Sequence, residues 1–270
     1  DLGSGRRLGI GDTVRMHAAS TMKVPVMLEL YRQAAAGEFS IDGTMVVRNA
    51  FRSIADRSDY SLSPESDSDE EIYTRVGGSL EVRDLIDRMI TRSSNLATNL
   101  LIERADPERI RATLTEIGAE GMEVLRGVED LPAFRQGLNN TTTALAFARV
   151  LEHLARCERG EDPRLGLSPA ACAEMTDVLA GQHFLDKIPA GLPEGVRVAN
   201  KTGWITGIDH DGAIVYPPDR APYVLVVLTR GFEERATARA TAADLSRIVW
   251  EELVGPGVAS VSAASRNAVR

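Results

Sequence analysis

From Val196 onward the apolar residues stop recurring at helical spacing and begin to alternate. Alternation at period two marks a strand with one face on a core, whereas spacings of three and four mark a helix. The alternation predicts three strands, over 196–201, 212–216 and 223–229. Pro217-Pro218-Asp219 separates the last two and makes them an antiparallel hairpin. A closing helix follows over 233–253, and residues 9–19 read as the end of a strand or hairpin near the chain start. Nearly everything between is helical. Strand, many helices, strands, helix is an α+β order, an α/β sandwich. It predicts one antiparallel sheet built from both chain ends, 1–37 and 196–254, flanked by helices. An all-helical domain, 38–195, is inserted between them, and 255–270 is a small-residue tail expected to fray.

The inserted block is punctuated by caps. Ser79 is expected to cap a helix whose inner face is Val82, Leu85, Ile86, Met89 and Ile90. The pattern breaks at Ser93-Ser94-Asn95 and resumes over 96–105; Asp106-Pro107 then opens a helix that Gly118 closes. Residues 121–140 read as a long ordered loop, 141–143 cap a helix reaching Glu158, and Ser168-Pro169 opens the next. The segment 51–78 is poorly patterned, with an acidic, serine-rich centre over 61–71. It reads as a solvated surface insertion, the alternative being a rim over a pocket that presents Tyr60 or Tyr73. Cys157 and Cys172 lie in separate predicted helices; they could pair, and the reading favours buried free thiols.

Chemistry gathers near the chain start. Ser20-Thr21-Met22-Lys23 opens an apolar helix that runs to about residue 36, with Val24, Met27, Leu28 and Tyr31 inward and Gly37 ending it. A three-residue spacing puts Ser20 and Lys23 on one face, where a lysine can activate a weak serine nucleophile. The chain has three lysines, Lys23, Lys187 and Lys201, against twenty-eight arginines. Arginine does not give up its proton in a protein, so a lysine kept here points to proton transfer. A net charge of -8 without a basic stripe argues against a nucleic-acid surface. No apolar run approaches the roughly 18 residues that span a bilayer. His17, His153 and His183 lack ligand spacing, so no metal is expected. A Ser-His-Asp triad using His210-Asp211 has no Gly-x-Ser-x-Gly elbow to support it, and no phosphate loop or dinucleotide fingerprint occurs.

In this order, Ser20-x-x-Lys23, Ser93-Ser94-Asn95 at a helix break and Lys201-Thr202-Gly203 at a strand end resemble the three motifs of class A β-lactamases and related penicillin-binding proteins. The resemblance covers nearly the whole chain and implies that an N-terminal helix and most of a first strand lie outside it. It implies a serine hydrolase that opens β-lactam rings through an acyl-Ser20 intermediate, without cofactor. Lys23 would be the acylation base or help a carboxylate in that role; Ser93 would relay a proton to the leaving nitrogen. Asn95 would bond the substrate amide, and Lys201 and Thr202 a substrate carboxylate, while Gly203 admits the edge strand to the ligand. The backbone N–H groups of Ser20 and Trp204 would form the oxyanion hole. Glu129, in Arg126-Gly127-Val128-Glu129-Asp130, would drive water onto the acyl-enzyme.

Departures from that pattern are Ser94 for an aspartate, Ala133 for a water-holding asparagine, and Asn140 for the aspartate that anchors the loop. His210 stands where many relatives carry a carboxylate-binding arginine, and Trp204 is bulkier than usual. The resemblance implies a small-molecule substrate, a monomer and export to the periplasm or medium, with a cytoplasmic location as the alternative. The competing functions are an esterase or peptidase-like hydrolase with weak β-lactam turnover, and a penicillin-binding sensor that stays acylated. A sensor has no need of Glu129.

Overall fold

The computed structural model describes residues 1–255, so the expected tail lies, apart from Gly255, outside the described residues. The chain runs through β1 (Met16–His17) and a 3-10 turn at Ala19–Met22 into α1 (Lys23–Ala35). Four short strands follow, β2 (Thr44–Val46), β3 (Phe51–Arg52), β4 (Asp59–Tyr60) and β5 (Ser79–Glu81). Next come α2 (Val82–Thr91), α3 (Asn95–Ala105), α4 (Pro107–Glu116), α5 (Leu131–Arg135), β6 (Thr141–Thr142), α6 (Ala144–Glu158) and α7 (Pro169–Ala180). The chain ends with β7 (Arg197–Ile205), β8 (Ile208–Tyr216), β9 (Tyr223–Arg230) and α8 (Arg235–Leu253).

The large sheet is the antiparallel meander β7-β8-β9, with Lys201 opposite Gly212 and Gly203 opposite His210. β7 runs beyond Gly203 and β8 begins four residues before Gly212. The predicted strands stopped short there because the buried polar residues Thr202, Asp209, His210 and Asp211 mask the alternation. Among the described residues the sheet takes its strands from the C-terminal part. The chain start meets it through Leu2 N–H, donated to Pro222 O at 3.0 Å. β1 pairs instead with β6, tying the approach to Ser20 to the exit of the loop that carries Glu129.

Both faces of the sheet are buried. Ala213, Val215, Tyr223 and Val227 pack with Ala242 and Trp250 of α8, while Ala199 and Ile214 join the large core formed by the helices on the other side. At Gly212 a Cβ would come within 2.3 Å of Phe147 Cε1, so α6 lies directly on the sheet.

Two expectations are corrected and a third is refined. Ser79 lies in β5 opposite Val46; the first amides of α2 are satisfied by carbonyls, Val82 N–H by Gly43 O and Arg83 N–H by Ile41 O, so no side-chain cap is needed. Cys157 and Cys172 form a disulfide, their Cα atoms 5.9 Å apart, because the connection after α6 turns back and starts α7 beside its end. The segment 51–78 is exposed over most of its length, as expected, but it is anchored to the body of the molecule. Phe51, Leu62 and Ile72 enter the core, and Asp69 makes a buried ion pair with Arg88 at 3.0 Å.

Candidate active site

Ser20 lies in the 3-10 turn at the start of α1, a helix buried from Lys23 to Tyr31. Ala19 before it has φ 47°, a left-handed conformation that its surroundings hold: its N–H donates to His17 Nδ1 and Ala18 N–H to Asn140 O. β7 crosses this turn at Gly203. A Cβ there would stand 2.7 Å from Ser20 N and 3.0 Å from Thr21 N, so only glycine lets the edge strand come so close.

Lys23 is fully buried. Its Nζ donates to Ser93 O (2.7 Å), Ser93 Oγ (3.2 Å) and Asn95 Oδ1 (3.0 Å), with Ser94 O at 3.4 Å. Among the described residues no hydrogen bond joins it to Ser20 Oγ. Burial lowers its pKa to about 7, against the opposing pull of the Asp67 and Glu129 charges. Lys201 Nζ reaches the same hydroxyl, Ser93 Oγ, at 3.1 Å. Its pKa falls well below the ordinary range because it is buried beside Lys23 and Lys187. Ser93 thus sits between two ammonium groups that burial makes ready to release protons, on a backbone with φ 57°. Thr202 Oγ1 is buried without a partner among the described residues.

Asn95 joins this cluster to Glu129: Oδ1 accepts from Lys23, and Nδ2 donates to Glu129 Oε1 at 3.1 Å. Glu129, half-buried at φ 60°, has its pKa raised by burial, which bonds from Asn95 and Ser66 partly offset. Its neighbours are pinned on both sides. Asn99 Oδ1 accepts Val128 N–H at 2.7 Å, and Asp130 accepts Ser53 Oγ at 2.7 Å and Ile54 N–H at 2.9 Å. Arg126 and Asn140 close the loop base, among the described residues, without an ion pair. Asn140 Oδ1 accepts Leu125 N–H, its Nδ2 donates to Arg126 O, and the guanidinium donates to Leu138 O, Gly127 O and Asn139 Oδ1. Ala133 is wholly buried and carries no polar side-chain atom.

His210 does not reach the site as expected. It is buried; Nε2–H donates to His17 O at 3.1 Å and Nδ1 accepts Thr229 N–H at 3.2 Å, so both nitrogens are committed. Burial lowers its pKa to about 4, and the ring is neutral near pH 7. Trp204 packs edge-on to Phe184, with Arg235 over its face.

Sequence reasoning missed a layer behind these groups. Asp211, held by Asn200 Nδ2 and Ile188 N–H, is buried with its pKa raised to about 6. Lys187 donates to His210 O and pairs with Asp209. Ser66 Oγ lies 3.3 Å from both Glu129 oxygens, Ser68 Oγ donates to Ser93 O, and Asp67 accepts the N–H groups of Asn95 and Leu96. A buried lysine with no surface counterpart was the available signal; the serines and aspartates of 61–71 carried none.

A family model described as the beta-lactamase enzyme family matches residues 1–253. Beta-lactamase AST-1 of Nocardia asteroides is 31% identical over 258 residues, covering 94% of this chain and 77% of that protein. Beta-lactamase 1 of Streptomyces cacaoi is 31% identical over 160 residues, 58% of this chain. The chain spans about half the length of the first curated relatives it matches, 48% and 56% of theirs. An ancestral class A β-lactamase (GNCA) of known structure is similar at TM-score 0.75 and 28% identity, over 92% of this chain and 90% of that one.

Proposed function

Because the chain belongs to the beta-lactamase enzyme family, we propose that it hydrolyses β-lactams in two steps through acyl-Ser20. The observation that carries this is Ser93 Oγ held between Lys23 Nζ and Lys201 Nζ, with the Lys23 pKa at about 7. Neutral Lys23 accepts the Ser20 proton as Oγ attacks the lactam carbonyl, and the Ser20 and Trp204 N–H groups steady the oxyanion. When the C–N bond breaks, Ser93 passes a proton to the nitrogen and recovers one from Lys23. A substrate carboxylate fits Lys201 and Thr202 Oγ1, which has no partner among the described residues. Asn95 serves the substrate amide. Glu129 then takes a proton from water, which attacks the ester carbonyl; as the ester C–O bond breaks, Glu129 returns that proton to Ser20 Oγ.

The substrate class is small-molecule and the working form a monomer. The Cys157–Cys172 disulfide fits an oxidising compartment, which supports export. Among the described residues no helix is long and apolar enough to cross a membrane.

Hydrolysis of a chromogenic cephalosporin tests the reading. Ser20→Ala should lower turnover by about a thousandfold or more. Glu129→Ala should acylate and then hold the adduct, visible by intact-protein mass spectrometry, with release slowed about 10²- to 10⁴-fold. Unchanged turnover in Ser20→Ala refutes the proposal. A wild type that stays acylated selects the sensor reading, and ester turnover without lactam turnover the esterase reading.

A further inference from the structure

We propose that Asp67 is a positioning residue for this reaction: its buried carboxylate fixes the start of α3 and with it the Asn95 side chain that joins Lys23 to Glu129. The inference rests on Ser20 being the nucleophile and Glu129 the deacylating base.

α3 begins at Asn95, so the N–H groups of Asn95 and Leu96 have no partner within the helix. The Ser94 hydroxyl accepts Ala97 N–H, at 3.3 Å, and its carbonyl accepts Thr98 N–H, at 3.2 Å. Asp67 serves the other two: Asn95 N–H lies 2.9 and 3.0 Å from its two oxygens, and Leu96 N–H 2.9 Å from Oδ2. A carboxylate at a helix N-terminus also meets the positive end of the peptide dipoles. The carboxylate is held in turn, by Asp69 N–H at 3.1 Å and by the Tyr73 hydroxyl at 3.0 Å, while Asp69 is locked by Arg88. Next to this clamp stands Ser93 with φ 57°, a conformation that persists only when its surroundings impose it. Ser68, on the same segment, donates to Ser93 O at 3.3 Å.

The consequence is positional. Asn95 Oδ1 is 3.0 Å from Lys23 Nζ and Asn95 Nδ2 is 3.1 Å from Glu129 Oε1. A shift of the α3 start moves both proton-handling groups against each other. Asp67 also acts by charge, favouring protonated Lys23 and disfavouring ionised Glu129.

The test uses the scarcity of lysine: a chain with three gives three resonances on [13Cε]lysine labelling. Lys23 faces Ser93, Ser94 and Asn95 at the α2–α3 break, and the charges of Asp67, Glu129 and Lys201. Asp67→Asn keeps the shape and removes the charge. The Lys23 midpoint should move down by about half a unit or more. Cephalosporin turnover should fall about 10- to 100-fold. In an Asn95→Ala background the same change should cost less than about threefold, because Asp67 acts through Asn95. An unmoved Lys23 midpoint, or equal losses in both backgrounds, overturns the proposal and leaves Asp67 as a fold-holding cap. If the wild type never acylates Ser20, the hydrolase reading fails and the proposal with it; normal wild-type turnover with an unmoved Lys23 midpoint in Asp67→Asn overturns the proposal alone. Should Asp67→Asn not fold, Asp67→Asn/Ser94→Asp returns a carboxylate to the same helix end. Turnover within about tenfold of wild type then supports the proposal, and a folded double variant without turnover rejects it.

Discussion

At the scale of single residues the site depends on a lysine that burial brings close to neutrality. With its pKa at about 7, Lys23 becomes a base as pH rises through 7, so Ser20 acylation should rise over the same interval. Lys23→Arg should lower acylation by about 10²- to 10⁴-fold and abolish that rise, since arginine stays protonated; stopped-flow mixing with the cephalosporin reads both. The sign for stability follows from the same shift. The folded pKa lies below the ordinary 10.5, so between about pH 7 and 10 the unfolded chain binds more protons, and this group's contribution to stability grows with pH. Gly203→Ala puts a methyl 2.7 Å from Ser20 N, against backbone that must move to admit it, and should cut kcat/KM about a hundredfold while also lowering Tm. His210→Arg should not improve binding of carboxylate substrates. It buries a charge where both ring nitrogens were already used, and should lose about 3–5 kcal/mol in urea unfolding. Ser20 and Lys23 were legible in the sequence because spacing and scarcity both mark them. His210 was not, because counting along a strand gives a position and not the neighbours that occupy its nitrogens.

Among elements, the loop from 125 to 140 and the α6–α7 pair carry the sharpest expectations. Asn140 holds the loop base through three neutral bonds. Asn140→Ala should therefore slow deacylation more than acylation, measured as a growing steady-state fraction of acyl-enzyme. The disulfide closes a 15-residue separation, which corresponds to about 3 kcal/mol of stability. Reduction, or Cys157→Ser, should remove about that much while leaving turnover per folded molecule unchanged, because the bridge joins helix ends away from Ser20. Helix starts such as Ser168-Pro169 and Thr143 were legible through their caps. The segment 51–78 was not. Its order comes from three apolar anchors spread over residues 51–72 and from aspartates whose partners lie in α2 and α3, which no local period reveals.

Across the whole molecule the site is a junction of parts far apart in sequence: the turn before α1, the α2–α3 break, the 125–140 loop and the edge strand β7. The sheet holds them because it is buried on both faces, with Ile214 turned to the helical core and its neighbours Ala213 and Val215 to α8. Ile214→Ala should cost about 2–5 kcal/mol by chemical denaturation, from the methyl groups lost and the cavity left. The α+β order was readable from the switch of period at Val196; how the sheet meets the helices depends on contacts such as Phe147 on Gly212, which have no signature along the chain. The burial of Lys23, Lys187 and Lys201, at 0%, 2% and 0% exposure, has a consequence for covalent labelling. The surface offers no lysine amine to acylating dyes, acetyl donors or conjugated tags. An electrophile small enough to enter the pocket would find at Lys23 an amine already half neutral near pH 7, so the reagents that ordinarily decorate a protein's exterior would here report on whether its interior is open.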